Sequence, residues 1–394
     1  MCDVTQSASL LAARCVQPVD NAPRKLSNLN KKYYMTNIKN YQQSQVIDFL
    51  RFPLIIGVLF IHNFNSAFTI RGVEFGANST ELPIFYFCSE FFSQVFSRIA
   101  VPLFFFISGF LFFLYVQKFN KSTYKTKLQS RAKTLLIPYL FWNVITFCFF
   151  YIFKTTGIMT TPMPEINIMR YLWDEGVGES VYRMPISFQF WFIRDLMVAV
   201  ILTPIIYFIC KKTKIYGVIL IGAFWFLGYW FKILGFSSTC IFFFTAGAYF
   251  GINKKNILED FGKIKNLSFV LYPLIALADL LTKEYMFNEY MHKTGIVIGI
   301  VFCFNLVTIL FEKGKIKPTP FLSAASFFVF AIHAPFVLVN LKKISFLLFK
   351  PETDIAITAL YFFNVIATVC IALGLYYVLK RFMPKFTAII TGGR

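Results

Sequence analysis

Two imidazoles and a guanidinium stand where a chain this apolar has little room for them. The run VIDFLRFPLIIGVLFIHNF carries Asp48, Arg51 and His62, and SAASFFVFAIHAPFV carries His333. Only three histidines occur in 394 residues, so two within such runs call for an explanation. An ionisable group inside a bilayer is costly and is a functional candidate by default. Arg51 and His62 are eleven residues apart, close to three helical turns, so they share a face, with His62 about 16 Å above Arg51. Asp48, three residues before Arg51, is placed to pair with it. An imidazole in that position can act as general base or accept an acyl group. A guanidinium at the far end can hold phosphate. Each residue also has a plainer reading: Arg51 as an anchor snorkelling to lipid phosphate, and His62 as a satisfied polar group between helices.

Other polar residues are expected in the same layer. A helix entered near residue 322 puts His333 about 16 Å up, at a depth similar to His62. Arg98 lies nearer the opposite end, with Asp279, and Arg194 and Asp195 in FWFIRDLMVAV lie part-way in. Arg194 and Asp195 are neighbours on different helix faces, so separate partners are expected for them. Ser108 and Gly109 read as small residues that let helices approach. No carboxylate is visibly placed to complete a Ser-His-acid triad.

These residues must be positioned by membrane-spanning helices. The chain is 57% hydrophobic and only 15% charged, with a mean hydropathy of +0.62 and 52 phenylalanines. Apolar blocks long enough to cross about 30 Å of hydrocarbon read as 47–68, 99–117, 135–153, 189–210, 215–231, 237–252, 266–282, 294–311, 322–341 and 355–379. The apolar stretch 84–98 extends the second of these or precedes it as an interfacial helix. The expected fold is an all-α polytopic membrane protein, a bundle of about ten transmembrane helices. Lys and Arg in alternate loops number 23 on one side against 10 on the other, which predicts that both termini are cytosolic. Residues 1–45 read as a polar, basic, disordered cytosolic tail, 46–382 as the transmembrane domain and 383–394 as a short cytosolic tail. Translation could start at Met1 or at Met35. The longest outer loop, about 154–188, holds Pro162, Pro164, Pro185, Glu165, Asp174, Glu175 and Glu179.

The net charge of +20 is spread over many short loops. It therefore reads as topology and not as a nucleic-acid surface. Cys148, Cys210, Cys240, Cys303 and Cys370 lie in apolar segments without a CxxC pair or Cys/His cluster. Buried free thiols are expected, and no metal site.

The Arg-x10-His pairing of Arg51 and His62, in its Asp-x-x-Arg context, resembles the signature of the integral-membrane acyltransferase family, type 3, of bacteria. RIAVPLFFFISGFLF at 98–112 is similar to that family's second signature, and RAKTLLIPYLFW at 131–142 to the entry of its third helix. FWFIRDL, FFFTAGAYFG and SFFVFAIHAPF resemble its later landmarks in the same order, over about residues 45–382. The resemblance implies transfer of an acyl group, commonly acetyl, from cytosolic acyl-CoA to a carbohydrate or glycolipid acceptor at the inner (plasma) membrane. Acyl-CoA is then a co-substrate, and no cofactor is permanently bound. On this reading His62 is the catalytic base or acyl carrier. Arg51, Arg131 and Lys133 bind acyl-CoA, and Asp48, Arg98, Ser108, Arg194, Asp195 and His333 support catalysis or hold the acceptor. The alternative is a transporter or flippase of a glycan or lipid-linked glycan, since intramembrane charges also mark transport pathways.

Overall fold

The computed structural model describes residues 28–70, 73–78, 80–156, 168–174 and 184–393. The chain divides into two units, between Gln42 and Gln43. The described part of the first is helical. The second holds the apolar blocks, and among the described residues six helices are long and apolar enough to cross a membrane, or seven if one bent pair is a single span. The chain is a multi-pass α-helical membrane protein.

Helix α1 (Asn28–Asn63) is continuous through Pro53. It begins well inside the stretch expected to be a disordered tail. Extending a formed helix adds one hydrogen bond per residue fixed, and residues 28–46 contain neither Pro nor Gly to stop it. The rest of the expected tail, 1–27, lies outside the described residues. An antiparallel hairpin, β1 (Ala67–Ile70) with β2 (Val73–Gly76), follows α1. It is a departure from an all-α chain. Phe68 of the hairpin is buried against Phe85 and Phe346, with ring centroids 4.8 and 5.2 Å away.

Helix α2 (Pro83–Phe113) absorbs the apolar stretch before residue 99, passing through a wide turn at Glu90–Phe96. Its free amino-terminal amides at Ile84 and Phe85 donate to the Asp354 carboxylate at 2.7 and 2.8 Å, a favourable partner for a helix start. Helix α3 (Lys121–Ile152) is followed by α4 (Ile168–Trp173). The expected span 189–210 is divided into α5 (Trp191–Ile201) and α6 (Thr203–Lys212), bent by 62°. Pro204 explains the break: it has no N–H to donate, and its ring clashes with the preceding turn.

Helices α7 (Ile215–Leu227) and α8 (Ser238–Ile252) are apolar but shorter. Next come α9 (Ile257–Gly262), α10 (Lys265–Leu281) and α11 (Asn288–Glu312). After them come α12 (Pro320–Phe349) and α13 (Asp354–Phe382). Large apolar side chains such as Leu220, Val270, Leu274 and Ile366 are exposed, as lipid-facing surfaces require. Pro384–Ile390 forms α14, and the Trp142 indole donates to the Ile390 carbonyl at 3.0 Å.

Helices α2 and α8 cross with backbones in contact. A Cβ at Gly109 would collide with the Phe244 carbonyl, and one at Gly247 with that of Phe106. Small residues are what allow helices in lipid to approach so closely. This crossing fixes the wall on which Ser108 sits.

Candidate active site

Three helices present their regular stripes to one cavity of ≈ 180 Å³. Helix α1 contributes Arg51, Ile55 and Val58, and α12 contributes Ser323, Ser326, Phe327 and Phe330. Helix α2 supplies Val101, Phe104, Ile107, Ser108 and Leu111, while Arg131 and Phe192 reach in from α3 and α5. The spacing 51, 55, 58 continues at 62, and 323, 326, 330 continues at 333, as helix periodicity demands. His62 and His333 therefore crown the two stripes. Their rings lie 5.2 Å apart between centroids, tilted by 38°. Phe188, just before α5, packs its edge against His62 at 5.1 Å.

The end of α1 that carries His62 is tied on several sides. Ser93 donates to the Phe60 carbonyl at 2.5 Å and lies 2.6 Å from the Tyr361 hydroxyl. The Asn63 amide donates to the Tyr361 carbonyl at 2.7 Å. Lys342 reaches the Asn65 side chain at 2.5 Å. Among the described residues no group hydrogen-bonds the ring nitrogens of His62.

His333 is wholly buried, at a break in α12. The residue before a proline is biased to extended backbone, and Ala334, before Pro335, has φ −131° and ψ 135°. The break frees the carbonyls of Ala331 and Ala334, and the Gln189 amide donates to both. His333 Nδ1 lies 2.6 Å from the Phe330 carbonyl. A carbonyl only accepts, so Nδ1 carries the proton and Nε2 presents its lone pair.

The opposite end of the cavity is cationic. Arg51 binds Asp48 at 3.0 Å, as its spacing predicts. Among the described residues no acidic side chain pairs with Arg131. Its guanidinium lies 5.9 Å over the Phe112 ring, beside Lys127 at 5.5 Å from the same ring. Lys133 is exposed and outside the cavity lining. Two residues beyond Arg131 is the far face of a helix, whereas Lys127, four before it, shares its face. Helical phase alone could have replaced Lys133 with Lys127.

The remaining expected site residues are placed differently. Ser108 lines the cavity. Arg98 is half-buried and holds Gln94 on its own helix. Arg194 and Asp195 do pair with each other, at 3.1 Å, contrary to the expectation of separate partners. Both are buried. Arg194 also donates to the Trp173 carbonyl at 2.8 Å and Asp195 accepts from Ser237, so the pair straps α5 to its neighbours and does not line the cavity. Burial decides this pairing, because a lone charge there would lack a partner. Asp279 lies in a separate buried cluster, 2.8 Å from His292 and 3.0 Å from Lys283. Sequence reasoning missed Gln189, Ser323, Ser326 and Lys342. The dipeptide Ala334-Pro335 was a visible sign of the break that Gln189 serves.

A cationic mouth, an apolar shaft and two adjacent imidazoles, His333 oriented by its carbonyl bond, suit group transfer from an anionic carrier. Residues 45–377 match the family model described as an acyltransferase domain. The chain belongs to that family, the type 3 acyltransferases, and is an acyltransferase. A curated relative is the "Succinoglycan biosynthesis protein ExoH" of Rhizobium meliloti (strain 1021), 22% identical over 359 residues, covering 88% of this chain and 92% of the relative. No solved structure matches the chain.

Proposed function

We propose that the protein is an O-acyltransferase of the inner membrane that moves an acyl group, acetyl in the first instance, from cytosolic acyl-CoA to a hydroxyl of an envelope glycan. The observation that carries this reading is the cavity itself, with Arg51 and Arg131 at one end and its helix stripes leading to His62 and His333 at the other. The relative's name supports a glycan acceptor. Ten crossings, with both termini and the cationic mouth cytosolic, complete the reading.

Arg51 and Arg131 bind the nucleotide phosphates through charge-assisted bonds, with Lys127 beside them and Asp48 steadying Arg51. The pantetheine arm lies along the apolar shaft past Ser108 and brings the thioester to the imidazole pair. The acceptor hydroxyl attacks the thioester carbonyl as the pair takes up its proton, with His62 as the member on the donor-binding helix. The C–O bond forms, the C–S bond breaks and the proton passes to the departing sulfur. Arg98 is the nearby cation available to a developing oxyanion.

The test is incubation of purified protein with radiolabelled acetyl-CoA and envelope glycans, with label in the glycan as the expected result. No transfer from acetyl-CoA or longer acyl-CoAs, together with loss of glycan export from cells lacking the protein, would replace this reading with a transporter.

A further inference from the structure

Two acceptor atoms beside the imidazole pair have no donor. Among the described residues, His333 Nε2 and Gln189 Oε1 are both buried and without a hydrogen-bond partner. Neither can change roles to help itself. The Nδ1 proton of His333 is given to the Phe330 carbonyl, which leaves Nε2 as a lone pair. Both amide protons of Gln189 are given to the carbonyls of Ala331 and Ala334, which leaves Oε1 as a bare carbonyl. Buried polar atoms in folded proteins are nearly always satisfied, and an exception asks what is missing.

The two atoms also belong to one assembly. Gln189 grips the turn that holds His333, and Phe188, its neighbour in sequence, packs on His62. The missing partner must donate. A thioester, a phosphate or a carboxylate cannot; a hydroxyl can, and so can the amides of a pantetheine arm, so the separate KM values for glycan and acetyl-CoA decide between the two substrates. We infer that His333 Nε2 and Gln189 Oε1 form the acceptor subsite, receiving hydroxyl groups of a polyhydroxylated substrate. Gln189 serves there as a specificity and positioning residue.

This inference rests on the acyl-transfer reading and divides its labour. The attacking hydroxyl is held by donating to His333 Nε2, and the imidazole pair takes up its proton as the C–O bond forms and the C–S bond breaks. The proton then leaves with the sulfur as a thiol. A site built to receive a hydroxyl rejects a molecule lacking one, because its own buried groups would stay unpaired. Gln189 therefore acts on the acceptor and leaves the donor alone.

The experiment uses the full chain in lipid nanodiscs, radiolabelled acetyl-CoA and the envelope glycan fraction, with the two substrates varied separately. Gln189→Met keeps the length of the side chain and removes its polar end. The apparent KM for glycan should rise about tenfold, while that for acetyl-CoA stays within about twofold. His333→Phe should abolish transfer with acetyl-CoA still bound. An unchanged glycan KM in Gln189→Met, an acetyl-CoA KM rising in step with it, or transfer at the parental rate by His333→Phe would each overturn the inference. Should Gln189→Met lose its melting transition, Gln189→Lys, which keeps donors for the two carbonyls and removes the acceptor, takes its place with the same criteria. If the parental protein transfers nothing, the acyl-transfer reading has failed. Retention of tritiated glycan fraction by the nanodiscs then reads the subsite directly. Retention lost in both variants supports it; retention equal in all three proteins, or none by the parent, overturns it.

Discussion

Replacing Arg51 or His62 should damage the protein in two different ways. The ion pair of Arg51 with Asp48 has side chains 35% and 37% exposed. A pair that open contributes about 0–1 kcal/mol, so Arg51→Ala should scarcely alter folding, and Asp48 is not stranded in hydrocarbon. What it should lose is a charged hydrogen bond to phosphate, about 1.5–3 kcal/mol, or roughly 10–150-fold in acyl-CoA affinity. Arg51→Lys should recover only part, because an ammonium cannot reproduce the guanidinium fork. On the proposed reading His62 meets the thioester and not the phosphates, so His62→Ala should bind acetyl-CoA normally while turnover falls roughly 10²–10⁴-fold. Titration calorimetry with acetyl-CoA and single-substrate kinetics separate the two, after a melting curve shows each variant folded. Parental acetyl-CoA affinity in Arg51→Ala, or parental turnover in a folded His62→Ala, would refute the argument.

The buried Arg194–Asp195 pair predicts asymmetry. Asp195→Asn should cost about 3–5 kcal/mol, seen as a lower melting temperature or lost folded yield, whereas Arg194→Met with Asp195→Leu should be milder. Gly247→Ala places a Cβ 2.7 Å from the Phe106 carbonyl carbon, against open space at Gly262. It should lose about 1–3 kcal/mol, with Gly262→Ala as the control in the same melt. In a cysteine-free background, single cysteines at positions 122, 213 and 314 should be labelled only in permeabilised cells, and one at 285 in intact cells. Labelling of 213 from outside would reverse the proposed topology.

Much of the frame was legible because lipid imposes a simple rule: long apolar runs become helices, and each of the ten expected segments falls mainly on helix, although among the described residues only six helices, or seven with the bent pair, are long and apolar enough to cross. Helical periodicity also placed Arg51 under His62 and gave His333 a similar depth. The rest depended on tertiary partners. A period of 3.6 says nothing of a 62° bend or of a carbonyl freed on another helix, so Gln189 passed as an ordinary residue at a helix start. The hairpin went unread because two four-residue strands carry too little pattern beside such strong helical runs. Arg194 and Asp195 were sent to different partners by face alone. Burial drew them together.

Helix α1 runs unbroken from Arg51 to His62, and a helix does not stretch. Arg51 and His62 are thus held about 16 Å apart by backbone rise. On the acyl-CoA reading, α1 is a ruler. A donor whose acyl group rides on a shorter arm can satisfy the arginine or reach the imidazole, but not both. Acetyl phosphate and simple thioesters are then refused by length, with no steric gate required.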